Sequence, residues 1–182
     1  MEINDNNSSN IIFITGGTKS GKSEFAEYLG RKIKKITYIA LSDSRPEDIH
    51  WQKKITLHRK RRPTEWGLVE TNNLINTLKS VNGPILIDSI GGFIMESINK
   101  KDEVWEKMIC SLLDLLVMRV NTTLIVGEQV GWSLVSEYEI GNIYIERLGE
   151  LQKRISKISL ENWLTLNGRA IKLDNISIEI PT

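Results

Sequence analysis

The stretch GGTKSGKS, residues 16–23, sits between the apolar run IIFIT and the segment EFAEYLGRKI. Gly16, four intervening residues, then Gly21, Lys22 and Ser23 follow the pattern G-x4-G-K-[ST], which has a function only where a strand enters a tight turn that opens into a helix. In that setting glycines let the backbone curl so that successive amides point inward at a β- or γ-phosphate. Lys22 adds a mobile positive charge, the Ser23 hydroxyl is placed to ligate Mg²⁺, and the helix N-terminus contributes its partial charge. Gly16, Gly17, Thr18, Lys19, Ser20, Gly21, Lys22 and Ser23 are therefore the expected phosphate-binding residues.

A loop of this kind requires a parallel sheet, and the rest of the chain supplies one. Short β-rich runs occur at residues 11–15, 36–40, 67–70, 84–89, 122–127 and 162–168, and segments of helical period at about 24–34, 46–61, 91–117 and 138–158. Strands alternating with crossover helices predict an α/β fold, a mostly parallel sheet with helices on both faces. The tail AIKLDNISIEI is expected to add a last strand or hairpin. Ligands in such sheets bind beyond the carboxyl ends of the strands.

With 182 residues, 40% of them hydrophobic, the chain suits one domain over 11–182 behind a disordered polar tail, 1–10. Its 24 basic and 23 acidic residues nearly cancel, so no overall field favours nucleic acid or a membrane surface. The single cysteine, Cys110, leaves no disulfide or metal-ligand spacing, and the N-terminus lacks the layout of a signal peptide. A cytoplasmic protein without membrane insertion is expected.

Two stretches imitate a GTP switch: DSIG at 88–91 and NKKD at 99–102. Only seven residues, Gly92 to Ile98, separate them, too few for the helix and strand that must intervene. The second reads instead as a polar break within or between helices. Asp88 closes the apolar run ILID, where a carboxylate either orients Mg²⁺ or simply caps the strand.

The segment RPEDIHWQKKITLHRKRRP, residues 45–63, carries proline and acidic residues at its start and a basic cluster at its end, the order a helix dipole favours. Trp51, Ile55, His58 and Arg62 share one stripe. Spacing alone leaves two readings open. One is a solvated basic helix end or nucleic-acid patch. In the other, His58 is a nucleophile kept neutral by the surrounding guanidiniums, which also neutralise a departing pyrophosphate.

FITGGTKSGKSEFAE, YIA after the second strand, HRKRRP with Trp66 and Glu70, ILIDS at 85–89 and VGW at 130–132 together resemble the adenosylcobinamide kinase/adenosylcobinamide-phosphate guanylyltransferase family of cobalamin biosynthesis. The resemblance implies a RecA-like three-layer P-loop fold assembled as a homotrimer. It implies phosphorylation of adenosylcobinamide by ATP or GTP, then GMP transfer from GTP through His58, with Lys22 the other catalytic residue. It extends the nucleotide-binding set to Ala40, Leu41, Ser42, Arg59, Lys60, Arg61, Arg62, Glu70 and Asp88, with Mg²⁺ on Ser23 and Asp88. The chain departs from the family pattern at Glu128-Gln129, where Asn-Glu is usual, and at Ser136, Ile145, Gln152 and Lys153. A P-loop small-molecule kinase without the second step and a RecA-like nucleic-acid-linked ATPase are the alternatives.

Overall fold

A computed structural model describes residues 9–41, 62–132 and 136–181 of the chain. Seven strands form one sheet: β1 (Ile11–Gly16), β2 (Thr37–Leu41), β3 (Gly67–Thr71), β4 (Ile85–Asp88), β5 (Thr123–Glu128), β6 (Glu161–Leu166) and β7 (Arg169–Lys172), in the spatial order β3-β2-β4-β5-β1-β6-β7. Every pairing is parallel except the β6–β7 hairpin, which turns at Asn167 and Gly168, both at positive φ. The expected tail strand is thus β7, followed by a 3₁₀ turn at Leu173–Asn175.

The middle strands β4, β5 and β1 are apolar on both sides because both sheet faces are covered. On one face Ile11, Phe13, Ile39, Ile85, Ile87 and Ile125 join the apolar sides of four helices: α2 (Leu74–Ser80), α3 (Gly91–Ser97), α4 (Asp102–Val117) and α5 (Glu139–Ile158). On the other, Ile14, Tyr38, Leu86, Leu124 and Val126 meet Ala26 of α1 (Lys22–Gly30), with Ile36 and Trp66. Alternate residues of each strand serve opposite layers, the period-2 consequence of the pleat. In α4, Trp105, Ile109, Leu112 and Leu116 are buried at spacings of four, three and four, with Asp102 and Glu103 in the first turn where the helix dipole favours them.

Three local features refine the sequence expectation. The helix expected over 24–34 ends at Gly30. α2 follows β3 after a short turn: the Asn73 side chain accepts from the Asn76 amide at 3.0 Å, a cap that its polar surroundings disguise in the sequence. The periodic region 91–117 is two helices, broken where the polar stretch Asn99–Asp102 suggested. Arg147 of α5 is the physical cause: its guanidinium donates to the carbonyls of Ser97 at 2.6 Å and Lys100 at 2.7 Å, and pairs with Asp102 at 3.0 Å. The expected helix over 46–61 lies outside the described residues. Among those described, no helix is long and apolar enough to cross a membrane.

Candidate active site

The phosphate loop leaves β1 at Gly16 and enters α1 at Lys22, as the sequence spacing requires. Gly21 at φ 97 and Lys19 at φ 57 turn the chain through the left-handed region. No side chain caps α1 where it opens out of the loop at Gly21. Lys22 Nζ donates to the Gly17 carbonyl at 3.1 Å and so lies across the loop mouth.

β6 braces this loop from behind. Ser20 Oγ and Thr165 Oγ1, both buried, are 2.8 Å apart, Thr165 Oγ1 donates to the Thr15 carbonyl at 3.2 Å, and the Gly168 amide donates to the Ser20 carbonyl at 3.0 Å. The curl is thereby held by a neighbouring strand and its hairpin.

Asp88 ends β4, two strands from β1, and reaches the loop across β5. Ser23 Oγ donates to its Oδ1 at 3.2 Å, and the Tyr38 hydroxyl donates to Oδ2. Burial, then the charge of Asp88, raises the Tyr38 pKa, so the phenol stays protonated and serves as a fixed donor. The Arg62 guanidinium stacks 4.0 Å from the centre of the Tyr38 ring. Loop, carboxylate, tyrosine and arginine therefore form one connected group. Two hard oxygens side by side, a serine hydroxyl and a carboxylate, suit a small divalent cation such as Mg²⁺.

The register puts Ala40 level with both Glu70 and Asp88, so these three residues share the carboxyl rim of adjacent strands. Leu41 follows at the end of β2, against Gly92 of α3. Glu70 is exposed on edge strand β3, separated from Asp88 by β2. Thr18 and Lys19 are exposed at the loop tip and Gly17 is half-buried. Ser42, His58, Arg59, Lys60 and Arg61 lie outside the described residues.

Sequence reasoning missed Tyr38, whose role follows from the β2–β4 pairing. It also gave no role to Glu128, which ends β5 level with Gly16 of the loop. Ser89 Oγ donates to Glu128 Oε1 at 2.6 Å, and the Gly91 amide to Oε2 at 3.4 Å. Next to it, Gln129 Nε2 donates to Thr15 Oγ1 at 2.9 Å and the Gln129 amide to the Gly16 carbonyl at 3.0 Å.

A family model described as cobinamide kinase / cobinamide phosphate guanyltransferase, CobU, matches residues 12–173. The chain belongs to this family. It is 24% identical over 181 residues to the bifunctional adenosylcobalamin biosynthesis protein CobU of Escherichia coli strain K12, a match that covers 90% of this chain and 99% of the relative. The protein of the same name from Salmonella typhimurium strain LT2 is likewise 24% identical, with the same coverage. Among solved structures, a prototypical ATPase from the type III secretion system of pathogenic bacteria superposes with a TM-score of 0.51 at 11% identity, over 85% of this chain. The chain spans half that ATPase's length, and the likeness is one of fold: a three-layer, RecA-like P-loop sheet. Family membership makes the chain an enzyme with cobinamide kinase and guanylyltransferase activity.

Proposed function

We propose that this chain phosphorylates the aminopropanol hydroxyl of adenosylcobinamide with ATP or GTP, and then passes GMP from GTP to the new phosphate through a covalent guanylyl group on His58. The observation that carries the reading is the contact between the Ser23 hydroxyl and the Asp88 carboxylate at the mouth of the Gly16–Ser23 loop, 3.2 Å apart. It joins the two parts that phosphoryl transfer needs, a cradle for the phosphates and an oxygen pair for their cation. Mg²⁺ held by Ser23 and Asp88 would offset charge on the β- and γ-phosphates.

Lys22 crosses the mouth of the same loop, within reach of the phosphate to be transferred. Arg62 closes the basic run that starts at His58 in the sequence, and its stacking on Tyr38 directs a guanidinium to the Asp88 side of the site. In the second reaction an imidazole nitrogen bonds to the α-phosphorus of GTP and pyrophosphate leaves. The phosphate oxygen of adenosylcobinamide phosphate then attacks the same phosphorus and frees His58. Arg59, Lys60, Arg61 and Arg62 supply the charge that a leaving pyrophosphate requires. Ala40, Leu41, Ser42 and Glu70 complete the nucleotide contacts in this reading, and a cytoplasmic homotrimer with sites near subunit boundaries is its assembled form.

The test is isotopic. Protein is incubated with Mg²⁺ and GTP labelled at the α- or the γ-phosphate, and protein-bound label stable to base and released by acid is counted. The expected result is retention of α-label alone, abolished in His58→Ala. Transfer of γ-label to cobinamide with no α-labelled adduct would reduce the protein to a kinase and remove His58 from the mechanism.

A further inference from the structure

We infer that Glu128 takes the proton from the acceptor hydroxyl during phosphoryl transfer, an inference that rests on the kinase reading of the Gly16–Ser23 loop. Its position comes from the strand order. β5 lies between β1, which carries the loop, and β4, which carries Asp88, and its last residue is level with Gly16. A side chain there lies between the phosphate cradle and the residue that follows Asp88.

The surroundings hold Glu128 in place without exhausting it. Its main-chain carbonyl accepts from Gln152 Nε2 at 3.1 Å, Oε1 accepts from Ser89 Oγ at 2.6 Å, and Oε2 accepts the longer bond from the Gly91 amide at 3.4 Å. An ionised carboxylate accepts about four hydrogen bonds, so half of its capacity remains for a ligand.

Gly91 keeps this corner open. A Cβ there would collide with the Tyr144 hydroxyl and with Glu128 Oε1, and would lie 2.9 Å from Glu128 Cδ. The phenol and the carboxylate therefore converge over one glycine. Burial, then the charge of Glu128, raises the Tyr144 pKa, which keeps that ring a neutral donor beside the carboxylate. Glu128 is only half-buried, so a hydroxyl can reach it from the rim.

The step balances. The acceptor oxygen bonds to the γ-phosphorus, the bond from that phosphorus to the β–γ bridging oxygen breaks, nucleoside diphosphate leaves, and the hydroxyl proton passes to Glu128. General bases of this kind contribute about 10²–10⁴-fold to rate.

Glu128→Gln separates this role from a structural one, because the side-chain shape is kept, the amide oxygen still accepts from Ser89 and only the long bond from the Gly91 amide is given up. Phosphorylation of cobinamide is followed with γ-labelled ATP. The expected result is a fall in kcat of about 10²–10⁴-fold, a KM for cobinamide within roughly three-fold of wild type, an unchanged thermal midpoint, and partial recovery of Glu128→Ala by added formate. A kcat within three-fold of wild type in Glu128→Gln, or a loss confined to KM, overturns the inference alone. A wild-type protein that transfers no label to cobinamide overturns the kinase reading, and this inference with it.

Discussion

Replacing Gly16 with alanine adds one methyl group where the phosphate loop is held against β6. The new Cβ would run into Thr165 Oγ1, with the Thr165 carbonyl oxygen at 2.5 Å and Ser20 Oγ at 2.6 Å. One of these atoms is backbone of a paired strand, so it cannot rotate away. Forcing a methylene into such a site costs about 1–3 kcal/mol, and losing the Ser20–Thr165 hydrogen bond adds about 0.5–1.5 kcal/mol. The expected destabilisation is about 2–4 kcal/mol, equivalent to a fall in thermal midpoint of roughly 4–16 °C for a chain of this size. Gly17 is the internal control, since a Cβ there meets nothing within 4 Å and its φ lies outside the left-handed region. Gly17→Ala should stay within about 0.5 kcal/mol of wild type. Urea denaturation of both variants, read with the same slope, measures the difference. Trimming the partner in Gly16→Ala/Thr165→Ala should recover only part of the loss, because the Thr165 carbonyl remains. Equal stability of Gly16→Ala and wild type, or an equal loss in Gly17→Ala, would refute the idea that β6 shapes the loop.

Other expectations test the groups around that loop. Tyr38→Phe keeps the ring beneath Arg62 but removes the donor to Asp88, and it should slow phosphoryl transfer by about ten-fold or more, since a hydrogen bond to a charged group contributes about 1.5–3 kcal/mol. An unchanged kcat in single-turnover measurements would show that Tyr38 does not position the carboxylate. Arg147→Met should cost about 2–4 kcal/mol in denaturation by orphaning the carbonyls that separate α3 from α4. Asp102→Asn should cost under about 1 kcal/mol because that carboxylate is exposed. If the two losses were equal, the ion pair and not the carbonyl bonds would carry the connection.

The phosphate loop and the layered sheet were legible in the linear chain because both depend on near neighbours. G-x4-G-K-S fixes its own turn through glycine's backbone freedom, and the apolar runs of β1, β4 and β5 announce burial on two faces whatever covers them. Asp88 was visible for the same reason, as the polar end of an apolar run. α2 was not, since its cap at Asn73 sits among other polar residues and its seven residues carry little period.

Sequence by itself determined the chemistry of the loop, the strands that frame it and, through HRKRRP, the family. Tertiary structure alone decided which distant side chains stand beside the loop. The insertion of β5 between β1 and β4 brings Glu128 level with Gly16, the β2–β4 pairing turns Tyr38 onto Asp88, and the hairpin β6–β7 puts Thr165 behind Ser20. Such neighbours arise from strand order and register, which backbone hydrogen bonds between remote segments set, and spacing along one segment carries no record of them.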